Sequence, residues 1–287
     1  LADQLGLTKR GGFFDWRQEV RQIVDIARAN DFSLEDLRRS SEQSWASFAA
    51  FLPDEKNITS ADLHRRLEEE LTSTIQSLED GEDQTKKTST VVDRLKALRR
   101  ELQLRGFLHW HQWATIGKLD PGAKSRDAVA PIKEFAWQHQ SLPAFRNNIQ
   151  RFIQHLFDTA IAALQEYDDY KKRRGLIDYT DMEVLVCKLL DQPPVIAVLS
   201  RELDLLMVDE FQDTNPIQLA IFLKLSQLAK HSVWVGDPKQ SIYGFRGAEP
   251  RLMRAIIDAA GGVKPENIQI NSWRSRADLV YMVNALF

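Results

Sequence analysis

In the first half of the chain, apolar positions recur with the period of a helix. Val91, Val92, Leu95, Leu98 and Leu102 recur at roughly helical spacing between charged residues. The segment NNIQRFIQHLFDTAIAALQEYDDYKKRR puts Ile149, Phe152, Ile153, Leu156, Phe157, Ala160, Ile161 and Leu164 on one stripe. A stripe that wide needs a partner helix to cover it. Two polar stretches interrupt the pattern. EDGEDQTKKTST at 79–90 reads as a mobile connection, and GKLDPGAKSRD at 117–127 has the Gly and Pro of a loop. Trp16, Trp45, Trp110, Trp113 and Trp137 all lie in this helical part. They read first as core or helix-seam residues, with a nucleic-acid surface as the alternative.

From about residue 176 the texture changes. DMEVLVCKLL is an amphipathic helix that ends before Pro193-Pro194. LDLLMVD is a continuous apolar run too short for a helix, as in a buried parallel strand. After Pro216, IQLAIFLKLSQLAK is a helix and SVWVGD the next strand. A helix at about 250–260 is stopped by Gly261-Gly262, and NIQI at 267–270 is a third candidate strand. Strand, helix, strand, helix, strand predicts parallel α/β architecture, with strands at about 204–209 and 232–236 as neighbours. Asp209 and Asp237 then fall at the carboxyl edge, where open sheets hold ligands.

The 287 residues allow two domains or one large one. With 43% hydrophobic and 28% charged residues, the composition is that of an ordinary soluble protein. A formal net charge of -3 leaves nucleic-acid binding open, because a basic groove can sit inside a near-neutral total. Cys187 is the single cysteine, which excludes a disulfide scaffold and a thiolate zinc site. No apolar run has the length of a membrane span, and LADQLGLTKRGGFFDW lacks signal-peptide architecture. The chain opens on Leu1 instead of Met, as an excised or processed piece would.

The candidate chemistry sits at the strand ends. Asp209 follows Leu205, Leu206, Met207 and Val208, so its backbone belongs to a rigid element. An Asp placed there can hold Mg²⁺ beside a nucleotide. Glu210, one residue on, can orient or deprotonate an attacking water. The plainer alternative is an acidic pair in a solvated loop. A second strand-to-loop transition, VGDPKQSIYGFRGAEP, adds Gln240, whose amide can bond a terminal phosphate or that water. Tyr243 and Phe245 flank Gly244 and precede Arg246, giving aromatic faces for bases and a cation for phosphate. In INSWRS, Trp273 can stack on a flat base and Arg274 can reach phosphate. Singly, Tyr243 or Phe245 can serve as a loop anchor, and Arg246 can pair with Asp213 or Glu249.

DEFQDT, GDPKQSIYGFRGA and NSWRS together resemble motifs II, III and IV of the UvrD/Rep class of superfamily 1 DNA helicases. They are most similar to its RecB/AddA branch, the helicase-nuclease (exonuclease V) beta-subunit type. YKKRRGLIDYTDM at 170–182 is similar to the family segment that re-enters the first motor domain after a helical insertion. The resemblance covers about 165–287 firmly and 1–164 more softly. It implies an α/β fold: a partial RecA-like P-loop NTPase motor domain with a parallel sheet, at 166–287, and a large all-helical insertion domain at 1–165.

By the same resemblance, Asp209 coordinates Mg²⁺, Glu210 activates water, and Gln240 senses the γ-phosphate of ATP. Arg274 contacts that phosphate and Trp273 stacks near the adenine. Tyr243, Phe245 and Arg246 line a single-stranded DNA track, with Phe245 standing where several relatives have Trp. The implied activity is ATP-driven 3′-to-5′ translocation and unwinding of duplex DNA in recombination or repair. The implied setting is cytoplasmic, with no membrane and with partner subunits of a helicase-nuclease complex. The family's phosphate loop, G-x-x-x-x-G-K-[ST], does not occur in the chain; TIGKL at 115–119 does not fit it. The expectation is therefore an internal piece of a larger helicase, inactive by itself. The competing readings are a degenerate helicase-like protein and a non-catalytic helical interaction module.

Overall fold

The computed structural model describes residues 5, 7, 15–56, 59–240, 250–259, 261–269 and 275–286. Its contacts divide the chain into two compact units. One comprises Leu1–Arg28 and Phe32–Leu176, the other Ala29–Asp31 and Ile177–Phe287.

The described residues of the first unit are helical, with connecting turns. The helices are α1 (Trp16–Ala29), α2 (Leu34–Ala49), α3 (Ser60–Glu79), α4 (Lys86–Arg105), α5 (Trp110–Gly117), α6 (Arg126–Trp137) and α7 (Pro143–Arg174). Helix α3 starts where Thr59 accepts the Asp62 N–H at 3.1 Å, satisfying one of the donors a helix start leaves open. Its Leu63, Leu67, Leu71, Ile75 and Leu78 form one buried stripe. They meet Leu95 and Leu98 of α4, Trp113 and Ile116 of α5, and Val129 and Ile132 of α6 in a single core. Each fully buried aliphatic side chain there contributes about 1.5–3 kcal/mol. Trp110 and Trp113 belong to this core, whereas Trp16 and Trp45 are half-buried and Trp137 is exposed. Pro143 opens α7, and Gly175, at φ 64°, closes it. The α7 stripe finds its cover in α1 and α2: Ile161 is buried with Ala27 and Leu37, and Phe157 and Leu164 pack beside Ile23 and Leu34.

The polar run at 79–90 is not the mobile connection its composition suggests. Asp83 is buried, and its carboxylate accepts the Thr85 N–H at 3.1 Å, the Thr88 hydroxyl at 3.0 Å and the Ser125 hydroxyl at 2.9 Å. Thr88 Oγ1 in turn accepts the Gly122 N–H at 3.0 Å. The polar residues are themselves the tie between two connections. The Thr85 side chain is the largest of the influences that, against the opposing effect of burial, hold the Asp83 carboxyl down to about 2.

The second unit contains α8 (Tyr179–Leu189), α9 (Pro193–Glu202), β1 (Leu205–Val208), α10 (Pro216–Leu228), β2 (His231–Trp234), α11 (Pro250–Ala259) and α12 (Ala277–Leu286). The strands are parallel neighbours, with Leu205 opposite His231 and Val208 opposite Trp234. Helix α10 is the crossover between them, since parallel strands cannot be joined by a tight turn. Leu190, Ile217 and Ile221 bury α8 and α10 against each other, with Cys187 half-buried beside them. Val208, Phe211 and Met253 form a second cluster with Leu206, Trp234 and Ile257. Tight glycine turns end α11, with Gly261 at φ 85° and Gly262 at φ 86°.

Two strand expectations are corrected. The run LDLLMVD is covered on one face only: Leu206 and Val208 turn inward, while Leu205 and Met207 are 49% and 69% exposed. NIQI is no strand over its described residues 267–269. Pro265 instead starts a 3-10 turn to Asn267, and the Asn267 and Ile268 N–H groups bond to Lys264 and Pro265 carbonyls. Those donors are no longer available to a ladder. Among the described residues, no helix is long and apolar enough to cross a membrane.

Candidate functional site

The two strands deliver their loops to one edge. The Val235 N–H donates to the Val208 carbonyl at 2.8 Å, extending the ladder past β2, and the Phe211 N–H returns to the Val235 carbonyl at 3.2 Å. Between these bonds the chain turns through Asp209 and Glu210. Glu210 lies in the left-handed region, at φ 51° and ψ 38°. For a residue with a Cβ that backbone costs about 1–2 kcal/mol. The Asp213 N–H donating to the Glu210 carbonyl at 2.9 Å, and the 3-10 turn Phe211–Asp213, hold it there. Phe211 anchors the turn: it is buried, and its ring meets Trp234 edge to face at 5.6 Å.

Asp209 and Glu210 are both exposed at this edge. Asp209 Oδ1 accepts the Glu210 N–H at 2.9 Å. The Glu210 carboxylate accepts from Gln212 Nε2 at 2.6 Å. Gln212 is 2% exposed, and its Oε1 accepts the Asp237 N–H at 3.0 Å. Asp237 closes the loop after β2, accepting the Lys239 N–H at 2.9 Å and the Gln240 side-chain amide at 3.0 Å. The Lys239 N–H first, then the Gln240 amide, lower the Asp237 carboxyl below its ordinary value. One hydrogen-bonded path thus runs from Glu210 through Gln212 and Asp237 to Gln240.

A Cβ on Gly236 would lie 2.8 Å from Gln212 Oε1 and 2.8 Å from Phe211 Cδ1, so the path passes where only a glycine fits. Beyond the turn, Asn215 caps α10 reciprocally with Gln218, and both side-chain amides donate to Glu183 of α8, at 3.2 Å and 2.6 Å. Asp213 Oδ1 is buried and has no hydrogen-bond partner among the described residues.

Of the residues singled out in the sequence, Asp209, Glu210 and Gln240 are brought to this edge. Tyr243, Phe245, Arg246, Trp273 and Arg274 lie outside the described residues. Gln212, Gly236 and Glu183 were not singled out by sequence reasoning. Gln212 and Gly236 sit inside the quoted motifs, and Asn215-Pro216-Ile217-Gln218 carries the spacing of a capping box.

The chain matches the model of the UvrD/REP helicase N-terminal domain over residues 14–260. It is similar to an ATP-dependent helicase/nuclease subunit from Natranaerobius thermophilus, 39% identical over 139 residues, or 46% of this chain and 11% of that protein. The protein of the same name from Latilactobacillus sakei is 25% identical over 315 residues, 93% of this chain and 34% of that protein. A Mycoplasma pneumoniae protein named "Probable DNA helicase II homolog" is 35% identical over 122 residues, 41% of this chain and 16% of that protein. The chain thus spans about a third or less of the length of these curated relatives. The family match takes in both strands, the Glu210 turn and the loop to Gln240, and the chain belongs to the UvrD/REP helicase N-terminal domain family.

Proposed function

We propose that this chain is part of an ATP-driven DNA helicase in which residues 166–287 belong to a RecA-like motor domain and residues 1–165 to its helical insertion. The observation that carries the reading is the path Glu210–Gln212–Asp237–Gln240 across the carboxyl ends of two parallel strands. A motor must tie the group that acts on water to the group that reads the phosphate, and a scaffold has no such need. Asp209 is the Mg²⁺ ligand in this reading, Glu210 orients the attacking water, and Gln240 reads the terminal phosphate. Arg274 supplies a second contact to that phosphate and Trp273 a stacking face for the adenine. Tyr243, Phe245 and Arg246 form the single-stranded DNA path.

The donor set fits Mg²⁺. Asp209 offers an exposed, hard oxygen ligand at the end of a strand. That matches an ion held by one or two carboxylates together with substrate phosphates. Bound there, it would neutralise charge on the phosphate oxygens. The exposed apolar face of Leu205 and Met207 is consistent with further chain covering this sheet in a longer protein. Translocation from 3′ to 5′, work in recombination or repair, a cytoplasmic place and partnership in a helicase-nuclease complex complete the proposal.

The test is Glu210→Gln in the full-length protein. Turnover of ATP should fall by about 10²-fold or more while nucleotide binding persists, because only the water-orienting charge is lost. Retained turnover refutes the role of Glu210.

A further inference from the structure

We propose that Gln212 is a positioning residue that fixes the Glu210 carboxylate and the loop bearing Gln240 against one another. The inference rests on the reading of Glu210 as the water-orienting group. Its orientation is set by chemistry. The Asp237 main-chain N–H can only donate, so the Gln212 amide must turn its oxygen towards it, at 3.0 Å. The amide nitrogen then necessarily faces Glu210, at 2.6 Å, where an ionised carboxylate can only accept. A flipped amide would set donor against donor and oxygen against carboxylate.

The surroundings leave this side chain little freedom. Gln212 is 2% exposed, and Gly236 keeps the space beside its oxygen open by having no Cβ. Glu210, by contrast, is exposed, and its carboxylate has water as the alternative partner. A buried, doubly bonded amide therefore aims an exposed carboxylate, and the same amide reads the backbone of the loop after β2. When that loop shifts, the Asp237 N–H carries the amide with it and the aim of Glu210 changes. The device makes water activation depend on where Gln240 is held.

Gln212→Met keeps length and volume but removes both polar functions. Gln212→Glu keeps an acceptor for the Asp237 N–H while replacing the donor to Glu210 with a like charge, and it keeps the question open if Gln212→Met does not fold. In the full-length protein, both should lower kcat for DNA-stimulated ATP hydrolysis by about tenfold or more. KM for ATP and the affinity for a fluorescent ATP analogue should stay within about twofold, because Gln212 is 2% exposed and acts through Glu210. A packing role alone would lower the unfolding midpoint and leave kcat per folded molecule unchanged, and it would leave the near-isosteric Gln212→Glu active. Either result overturns the proposal. Glu210→Gln, run alongside, separates the two failures. Full activity there removes the reading of Glu210, whereas an inactive Glu210→Gln with active Gln212 variants removes this inference alone.

Discussion

Gly236→Ala adds one methyl group at the tightest point of the site. A Cβ at 236 would stand 2.8 Å from Gln212 Oε1, 2.8 Å from Phe211 Cδ1 and 3.0 Å from Phe211 Cε1. Carbon atoms in contact sit about 3.5–4.0 Å apart, so the ring would have to withdraw by about 0.7 Å or more. Neither neighbour yields readily. Phe211 is buried and lies edge-on to Trp234, and Gln212 is held at both ends of its amide. Overpacking of this kind costs about 1–3 kcal/mol. The cost is steric and local, so it should appear in hydrogen exchange of the Asp237 amide, whose partner is the displaced oxygen. Exchange there should speed up by about 5- to 150-fold. Gly106→Ala is the contrasting control. Gly106 sits at φ 74° with nothing within 4 Å of a built Cβ, so its cost is backbone strain far along the chain from Asp237. An Asp237 amide exchanging within about twofold of the parent in Gly236→Ala refutes the close-packed path.

What could be read in the sequence, and what could not, follows from what each pattern encodes. Hydrophobic period encodes which face is buried, and so the stripe Ile149–Leu164 correctly called for a partner that α1 and α2 supply. Short apolar runs ending in Asp correctly placed Asp209 and Asp237 at one sheet edge, because parallel neighbours put their carboxyl ends together. Pattern does not encode partners. NIQI has strand-like residues, yet the Pro265 turn takes up the Asn267 and Ile268 N–H groups. LDLLMVD reads as buried on both faces, though among the described residues β1 has one strand beside it, and Leu205 and Met207 are exposed. Composition misleads where polar residues bond one another. The run at 79–90 has the makeup of a flexible link and is fixed by Asp83. Gln212 escaped notice for a related reason: a glutamine says nothing of its burial, and its meaning appears only when Glu210 turns left-handed and β2 brings Asp237 alongside.

Phe245→Ala in the full-length protein should weaken single-stranded DNA binding by about 1–3 kcal/mol, the contribution of one stacked base, and depress DNA-stimulated turnover while basal ATP binding holds. Unchanged affinity together with unchanged stimulation would remove Phe245 from the DNA path. Asp83 gives a pH test with a definite sign: its carboxyl is held at about 2 in the folded chain against an ordinary value of 3.8, chiefly by the Thr85 side chain. The stability this adds is fully present above about 3.8 and drains away as pH falls towards 2, because the unfolded chain binds the proton first. Asp36, Asp120, Asp204 and Asp237 are also lowered, so the parent's acid limb alone would not isolate Asp83. The difference between the parent and Asp83→Asn does, since those carboxylates are common to both. Denaturant midpoints measured from pH 6 to pH 2 should converge between about 4 and 2, the parent losing what Asp83→Asn never had. Curves that stay parallel through that window would show that the Asp83 bonds do not favour the charged form.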